Sequence, residues 1–183
     1  MITAVSRKID EHCRRFFYQQ TNQVRYFSAE FPDTIMVDDL LQVSQLACDI
    51  AGNRTYTQIW DSSDYDLEPY NASLESQPRP YTQITRTPYG KYAFPVAFRG
   101  GGLYKTGIRK AIKITGDWGW PSVPAVVSEA CFLQCERLFK RKDAPFGVAG
   151  AGGLGQLLVI PKLDPDVEFM LTDVRRPGGM RAA

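Results

Sequence analysis

Apolar positions at the start of the chain recur at helical spacing. Val5, Ile9, Cys13, Phe16 and Phe17 fall on one stripe, and Arg7, Lys8, Arg14 and Arg15 lie mostly off it. That spacing predicts an amphipathic helix within residues 1–20. From residue 22 to about 116 the pattern changes to short β-rich runs: Val24 to Ser28, Gln42 to Asp49, Thr55 to Trp60, Tyr81 to Thr87 and Ala111 to Thr115. Gly52-Asn53 sits between two of these runs as a two-residue hairpin loop would, and Gln77-Pro78-Arg79-Pro80 interrupts any ladder.

Ile112, Ile114 and Trp118 form an alternating set that runs into Gly116-Asp117-Trp118-Gly119-Trp120-Pro121. Two indoles and a proline there must close a strand against something apolar, so Trp118, Trp120 and Pro121 are read as a core-closing motif. A second helix is predicted over 121–143. Its apolar residues, from Val126 and Val127 through Ala130, Cys131, Leu133 and Cys135 to Leu138 and Phe139, cover more than one stripe. Such a helix is buried on several sides or packs against another subunit. Arg137, Lys140, Arg141 and Lys142 crowd its end, either as solvated charge at the negative pole of the helix dipole or as a basic cluster at a lumen or subunit interface. Residues 144–163 read as a glycine-rich loop and a short strand stopped by Pro161. Residues 164–176 read as a third helix with Pro165 in its first turn, and 177–183 as a short basic tail. The expected fold is α+β: one domain with a helical core and a β-rich insertion between its first two helices.

The 183 residues suffice for one domain with a real core. No continuous apolar stretch reads as a signal peptide or membrane span, so a protein made and kept in a cytoplasm is expected, its four cysteines reduced and packed. Charge changes the picture more. Residues 30–75 carry ten acids and one base (Arg54), net −9, whereas 76–116 carry eight bases and no acid, net +8. Either the two halves of one β-domain neutralise each other, or complementary edges meet between neighbouring copies, or a basic face turns to DNA.

Catalytic and cofactor chemistry finds few of its parts. Gly150-Ala151-Gly152-Gly153-Leu154-Gly155 matches GxGxxG, yet a helix precedes it and a strand-like run follows, the reverse of a dinucleotide site. Cys131 and Cys135 stand one helical turn apart, but His12 and Cys13, the candidates to complete a zinc site, diverge by about 100° around one helix. Asp61, Asp64, Asp66 and Glu68 lack the calcium-loop order and read as a polar hairpin or edge strand. With one histidine and neither GxSxG nor HExxH, no enzyme activity, cofactor or metal is expected; a hydrolase built on the 61–68 acids lacks a base and a nucleophile.

Three blocks carry a likeness: Ala4-Val5-Ser6-Arg7-Lys8-Ile9-Asp10 with Arg15-Phe16-Phe17, then residues 115–124 (TGDWGWPSVP), then residues 137–150 (RLFKRKDAPFGVAG). Together they resemble the head–tail connector (adaptor) proteins of siphophages. The resemblance implies a non-enzymatic ring, usually of twelve copies, below the portal protein at the virion neck, assembled in the host cytoplasm. A tail-side completion or stopper protein would follow it, and double-stranded DNA would pass through it. It also implies portal docking by the C-terminal segment, which here holds Arg175, Arg176, Pro177, Met180 and Arg181. This chain starts almost at the Val-Ser-x-x-Ile-Asp block, where such proteins often have more helix, and its β-region is larger than in their smallest members. The alternative is a sequence-tolerant DNA-binding protein using the basic, tyrosine-interleaved segment 79–113.

Overall fold

A computed structural model describes residues 1–96, 107–142 and 163–176, and within it the chain divides into two compact units. The fold is α+β, an N-terminal helix, a six-stranded antiparallel insertion and C-terminal helices.

The helical unit is Met1–Arg15 with Val123–Arg176. Helix α1 spans Ile2–Cys13 and buries Val5, Ile9, Asp10 and Cys13. It stops well before the expected limit at residue 20, because Arg14 takes a left-handed conformation (φ 55°) and returns its N–H to the Glu11 carbonyl. Helix α2 spans Ala125–Lys142 and packs against both α1 and α3. Val127, Ala130 and Gln134 form its buried stripe. Helix α3 spans only Pro165–Met170, turns taking the rest of the expected 164–176 span. Asp164 caps it by accepting from the Asp166 N–H, and Pro165 fills the first position, where no amide donor is needed.

The β unit is Phe16–Ser122. Its strands are β1 (Gln20–Phe27), β2 (Thr34–Cys48), β3 (Gln58–Trp60), β4 (Tyr65–Glu68), β5 (Tyr81–Arg86) and β6 (Ile112–Trp118). The order is β1-β6-β2-β5-β4, with β3 also on β2. The 15-residue β2 is the spine: it pairs β6 along one side, and along the other β5 with its first part and β3 with its last. Alternation buries Ile35, Val37, Leu46, Cys48, Ile84, Ile112 and Ile114 on one face, closed by Phe27, Trp60, Phe94 and Trp118. Trp60 and Phe94 stack with ring centroids 4.4 Å apart.

The expected two-residue hairpin at Gly52-Asn53 is instead a loop from Asp49 to Thr57. The Asp49 carboxylate, 1% exposed, accepts from the Gly52 and Arg54 N–H groups at 2.8 and 2.7 Å. A buried carboxylate satisfied by backbone amides does the work a tight turn would have done. β4 lies at the end of the strand order, the place expected for an acidic edge strand.

Replacing the fully buried Leu46 by Ala should cost about 2–5 kcal/mol in urea unfolding, whereas Val24→Ala, exposed on β1, should stay within about 0.5 kcal/mol.

Candidate assembly surfaces

Each residue from Gly116 to Trp120 has a local task. A β-carbon on Gly116 would meet the Gln42 carbonyl, so β6 approaches β2 closely there. Asp117 accepts the N–H of Asn22 at 2.8 Å, holding the irregular turn of β1 where Asn22 is left-handed. Trp118 is fully buried against Phe27, donates Nε1–H to the Gln23 carbonyl at 2.9 Å and lies under the Arg25 guanidinium at 4.5 Å. Gly119 has φ 99°; its N–H donates to the Asp39 carbonyl, and a side chain would collide with the Tyr18 carbonyl. Trp120 packs on Phe17 and donates Nε1–H to the Asp39 carboxylate at 3.3 Å. Pro121 is exposed at the exit.

The charge segregation is partly an internal matter. Arg86 pairs with Asp33, Arg79 with Glu75 at 2.7 Å and Arg25 with Asp38 at 2.8 Å, so bases join acids distant or near in sequence within the β unit. Such half-exposed pairs contribute about 0–1 kcal/mol each. For Arg54, Arg109, Lys110 and Lys113 no ion pair is found among the described residues.

Strand register gathers these bases with apolar side chains. Tyr26 stands opposite Lys113, Lys113 opposite Ala47 and Ala47 opposite Ile59, one row across four strands on the face away from the core. Val24 and Tyr26 are each 44% exposed and Ile59 is 54% exposed. Tyr56 packs against Tyr26 in a tilted ring pair (5.5 Å), lies near the Lys113 ammonium (6.0 Å) and donates its hydroxyl to the Lys110 carbonyl at 2.7 Å. Arg54, Tyr56 and Lys110 all hold positive φ, a local strain concentrated around this patch. Sequence reasoning named neither the patch nor Tyr26, Tyr56 and Ile59 as surface residues. The period-two alternation in β1 and β6 was the available signal, but the row exists only once register is known.

In the helical unit, Arg137 is bound to Asp164 and to Asp166 (2.5 Å), and Lys140 to Glu136 (2.5 Å). Gln134 accepts the Asp164 N–H at 3.1 Å. Arg137 therefore ties α2 to the start of α3 rather than presenting an open charge. The side chains of Arg141 and Lys142 lie outside the described residues. Phe132 and Phe139, 62% and 59% exposed, leave α2 with an apolar side away from its buried stripe. Arg175 donates its N–H to the Leu171 carbonyl and Arg176 to the Cys13 carbonyl, which brings the end of this segment back to α1. Pro177, Met180 and Arg181, the 150–155 glycine run, the apolar run at 157–160 expected to be a short strand and the 100–102 glycines all lie outside the described residues.

Asp61 and Asp64 build a turn: Asp64 accepts from the Asp61 and Lys91 N–H groups. Among the described residues no three His, Cys, Asp or Glu side chains converge as a metal site, and no helix is long and apolar enough to cross a membrane. Burial pushes the Cys13 thiol up to about 11, with Asp10 adding to it, and burial pushes Cys48 up to about 12. Burial also raises Cys131, helped by Cys135 beside it.

No family model and no curated protein sequence matches the chain. Its fold is similar to that of a chain from the neck of a native GTA particle. That structure, computed with C12 symmetry, aligns at TM-score 0.53 and 16% identity over 98% of this chain and 83% of the other. A chain from the neck of an empty GTA particle, computed with C6 symmetry, aligns at TM-score 0.49 and 16% identity over 98% of this chain and 79% of the other. At such identity the likeness is one of fold.

Two outcomes check this geometry. Gly119→Ala should destabilise the β unit by at least about 2 kcal/mol in denaturant unfolding, since it adds both left-handed strain and a backbone collision. In the native protein at pH 8 a thiol reagent should label Cys131 and Cys135 while leaving Cys13 and Cys48 unlabelled until the chain is unfolded, because both buried thiols remain protonated there.

Proposed function

We propose that this chain is a non-enzymatic head–tail connector subunit of a phage-like particle. In this reading its copies close into a ring, of twelve by analogy, between the portal of a DNA-filled head and the next protein on the tail side, at the particle neck. The observation that carries the reading is the fold likeness to a neck chain, extending over 98% of this chain at TM-score 0.53, in a particle treated with C12 symmetry. The three sequence blocks that resemble siphophage connectors support it independently of the fold. DNA passes through the ring in contact with it but is not held, and the chain needs no cofactor.

Portal docking falls to the C-terminal segment with Arg175, Arg176, Pro177, Met180 and Arg181. The Arg176 N–H bond to Cys13 marks where that segment leaves the helical unit. Arg137 contributes to the stability of α2 and α3 more than to a lumen, in keeping with its two carboxylate partners. Lys140, Arg141 and Lys142 remain the basic cluster of that helix end.

Mass measurement of the purified chain, alone and mixed with portal rings of the same particle, tests the reading. A fixed multiple of this chain added per portal is the expected result. A chain that ignores portal and instead shifts duplex or single-stranded DNA with a steep salt dependence overturns it in favour of a DNA-binding protein. Removing residues 177–183 should leave thermal unfolding unchanged and abolish portal binding; retained binding would move the docking site elsewhere.

A further inference from the structure

The β unit carries two exposed amphipathic patches of opposite sign, toward opposite ends of its strand order. Toward the β1–β6 end are Val24, Tyr26, Lys110 and Lys113 with Tyr56, and the row through Lys113 continues across Ala47 to Ile59 of β3. At the β4 end Asp66 and Glu68 lead into Tyr70 and Leu74, 63% and 82% exposed. The pKa of the exposed Tyr70 phenol is raised, first by desolvation and then by the Glu68 and Asp66 carboxylates. Arg79 and Arg86 do not cancel this patch, since they are bound to Glu75 and Asp33.

We infer that the basic patch of one copy docks on the acidic patch of the next, forming a heterologous contact between β units of a ring. The inference rests on the connector reading and names the surfaces by which its copies meet. Three properties favour a second copy as occupant. The charges are complementary and occur on the same chain, as a repeating head-to-tail contact requires. Each patch combines exposed apolar and tyrosine side chains with charge, the composition of a protein interface. A phosphate backbone would use the lysines but leave Val24, Tyr26 and Ile59 in water, so DNA fits the basic patch less well. Two patches at opposite ends of the strand order also suit an open contact that must propagate from copy to copy, where an isologous dimer would use one patch twice.

Charge exchange tests the contact. Lys110→Glu/Lys113→Glu makes both patches acidic, and Asp66→Lys/Glu68→Lys makes both basic. Each variant alone should self-associate at least about tenfold more weakly than the wild-type chain in sedimentation equilibrium, taken to millimolar concentration. An equimolar mixture of the two should regain association, because every contact then joins an acidic patch to a basic one. If Lys113→Glu disturbs the sheet, seen as a lost cooperative melt, Arg109→Glu/Lys110→Glu in the exposed turn takes its place. Wild-type association unchanged by either variant, a mixture that is not rescued, or a wild-type chain that stays monomeric at millimolar concentration each overturn the inference. So does a wild-type chain that binds duplex DNA through Lys110 and Lys113 without self-association. A fixed multiple still bound to portal in any of these cases would leave the connector reading standing and remove only this interface.

Discussion

Gln23 and Trp118 are 95 residues apart, and the indole of one donates its N–H to the carbonyl of the other. Around that bond β1 and β6 pair over most of their length, from Gln20 opposite Trp118 to Phe27 opposite Ile112. The first and last strands of the insertion are thus neighbours, and the β-region begins and ends at one place. Closing so long a loop costs conformational entropy, which only non-local contacts formed at the closure can offset. Trp118 supplies them: complete burial, an aromatic neighbour in Phe27, a cation above its ring and a satisfied indole N–H. The glycines on either side are there because backbone, not side chain, must fit against Gln42 and Tyr18.

This closure explains both what the sequence reveals and what it hides. The Trp-Gly-Trp-Pro run announces a strand end in contact with something apolar, and its indoles sit in apolar surroundings. The partners Phe17, Gln23 and Asp39 carry no local mark. Helix α1 is the counterpart case. Phe16 and Phe17 continue its apolar stripe, so periodicity runs on past Cys13. In the structure Phe17 packs on Trp120, and the helix has ended at Arg14, a non-glycine residue in a left-handed conformation that no local rule anticipates. The first half of β2 was equally obscure, since Asp38 and Asp39 interrupt an apolar run. One pairs with Arg25 and the other accepts from Trp120, so both acids are structural through residues far along the chain.

Charge shows the same division between local and non-local information. The opposition of residues 30–75 to 76–116 is plain in the sequence, and several of its charges neutralise each other inside the β unit, as Arg86 with Asp33 does. What composition cannot supply is the remainder after pairing. In sequence Arg137 belongs to a basic cluster with Lys140; in the structure α3 brings Asp164 and Asp166 to it. Lys113, by contrast, is one of several bases in sequence and becomes distinctive only through register, which lines it up with Tyr26, Ala47 and Ile59 from three other strands.

In the proposed ring a subunit has to be stable alone and still present faces that want a partner, and the two demands fall on different sides of the same strands. The inner side of β1, β6, β2 and β3 holds Phe27, Ile112, Ile114, Leu46, Cys48 and Trp60, sealed from water. The outer side of those strands leaves Val24, Tyr26 and Ile59 exposed beside Lys110 and Lys113, which form no ion pair among the described residues. Because a strand alternates its side chains, one sequence serves both sides, and a one-residue slip would exchange core for surface. The bond from Trp118 to Gln23 sets that register at the β1–β6 seam. The interaction that closes the insertion therefore also decides which residues the protein can offer to a neighbour.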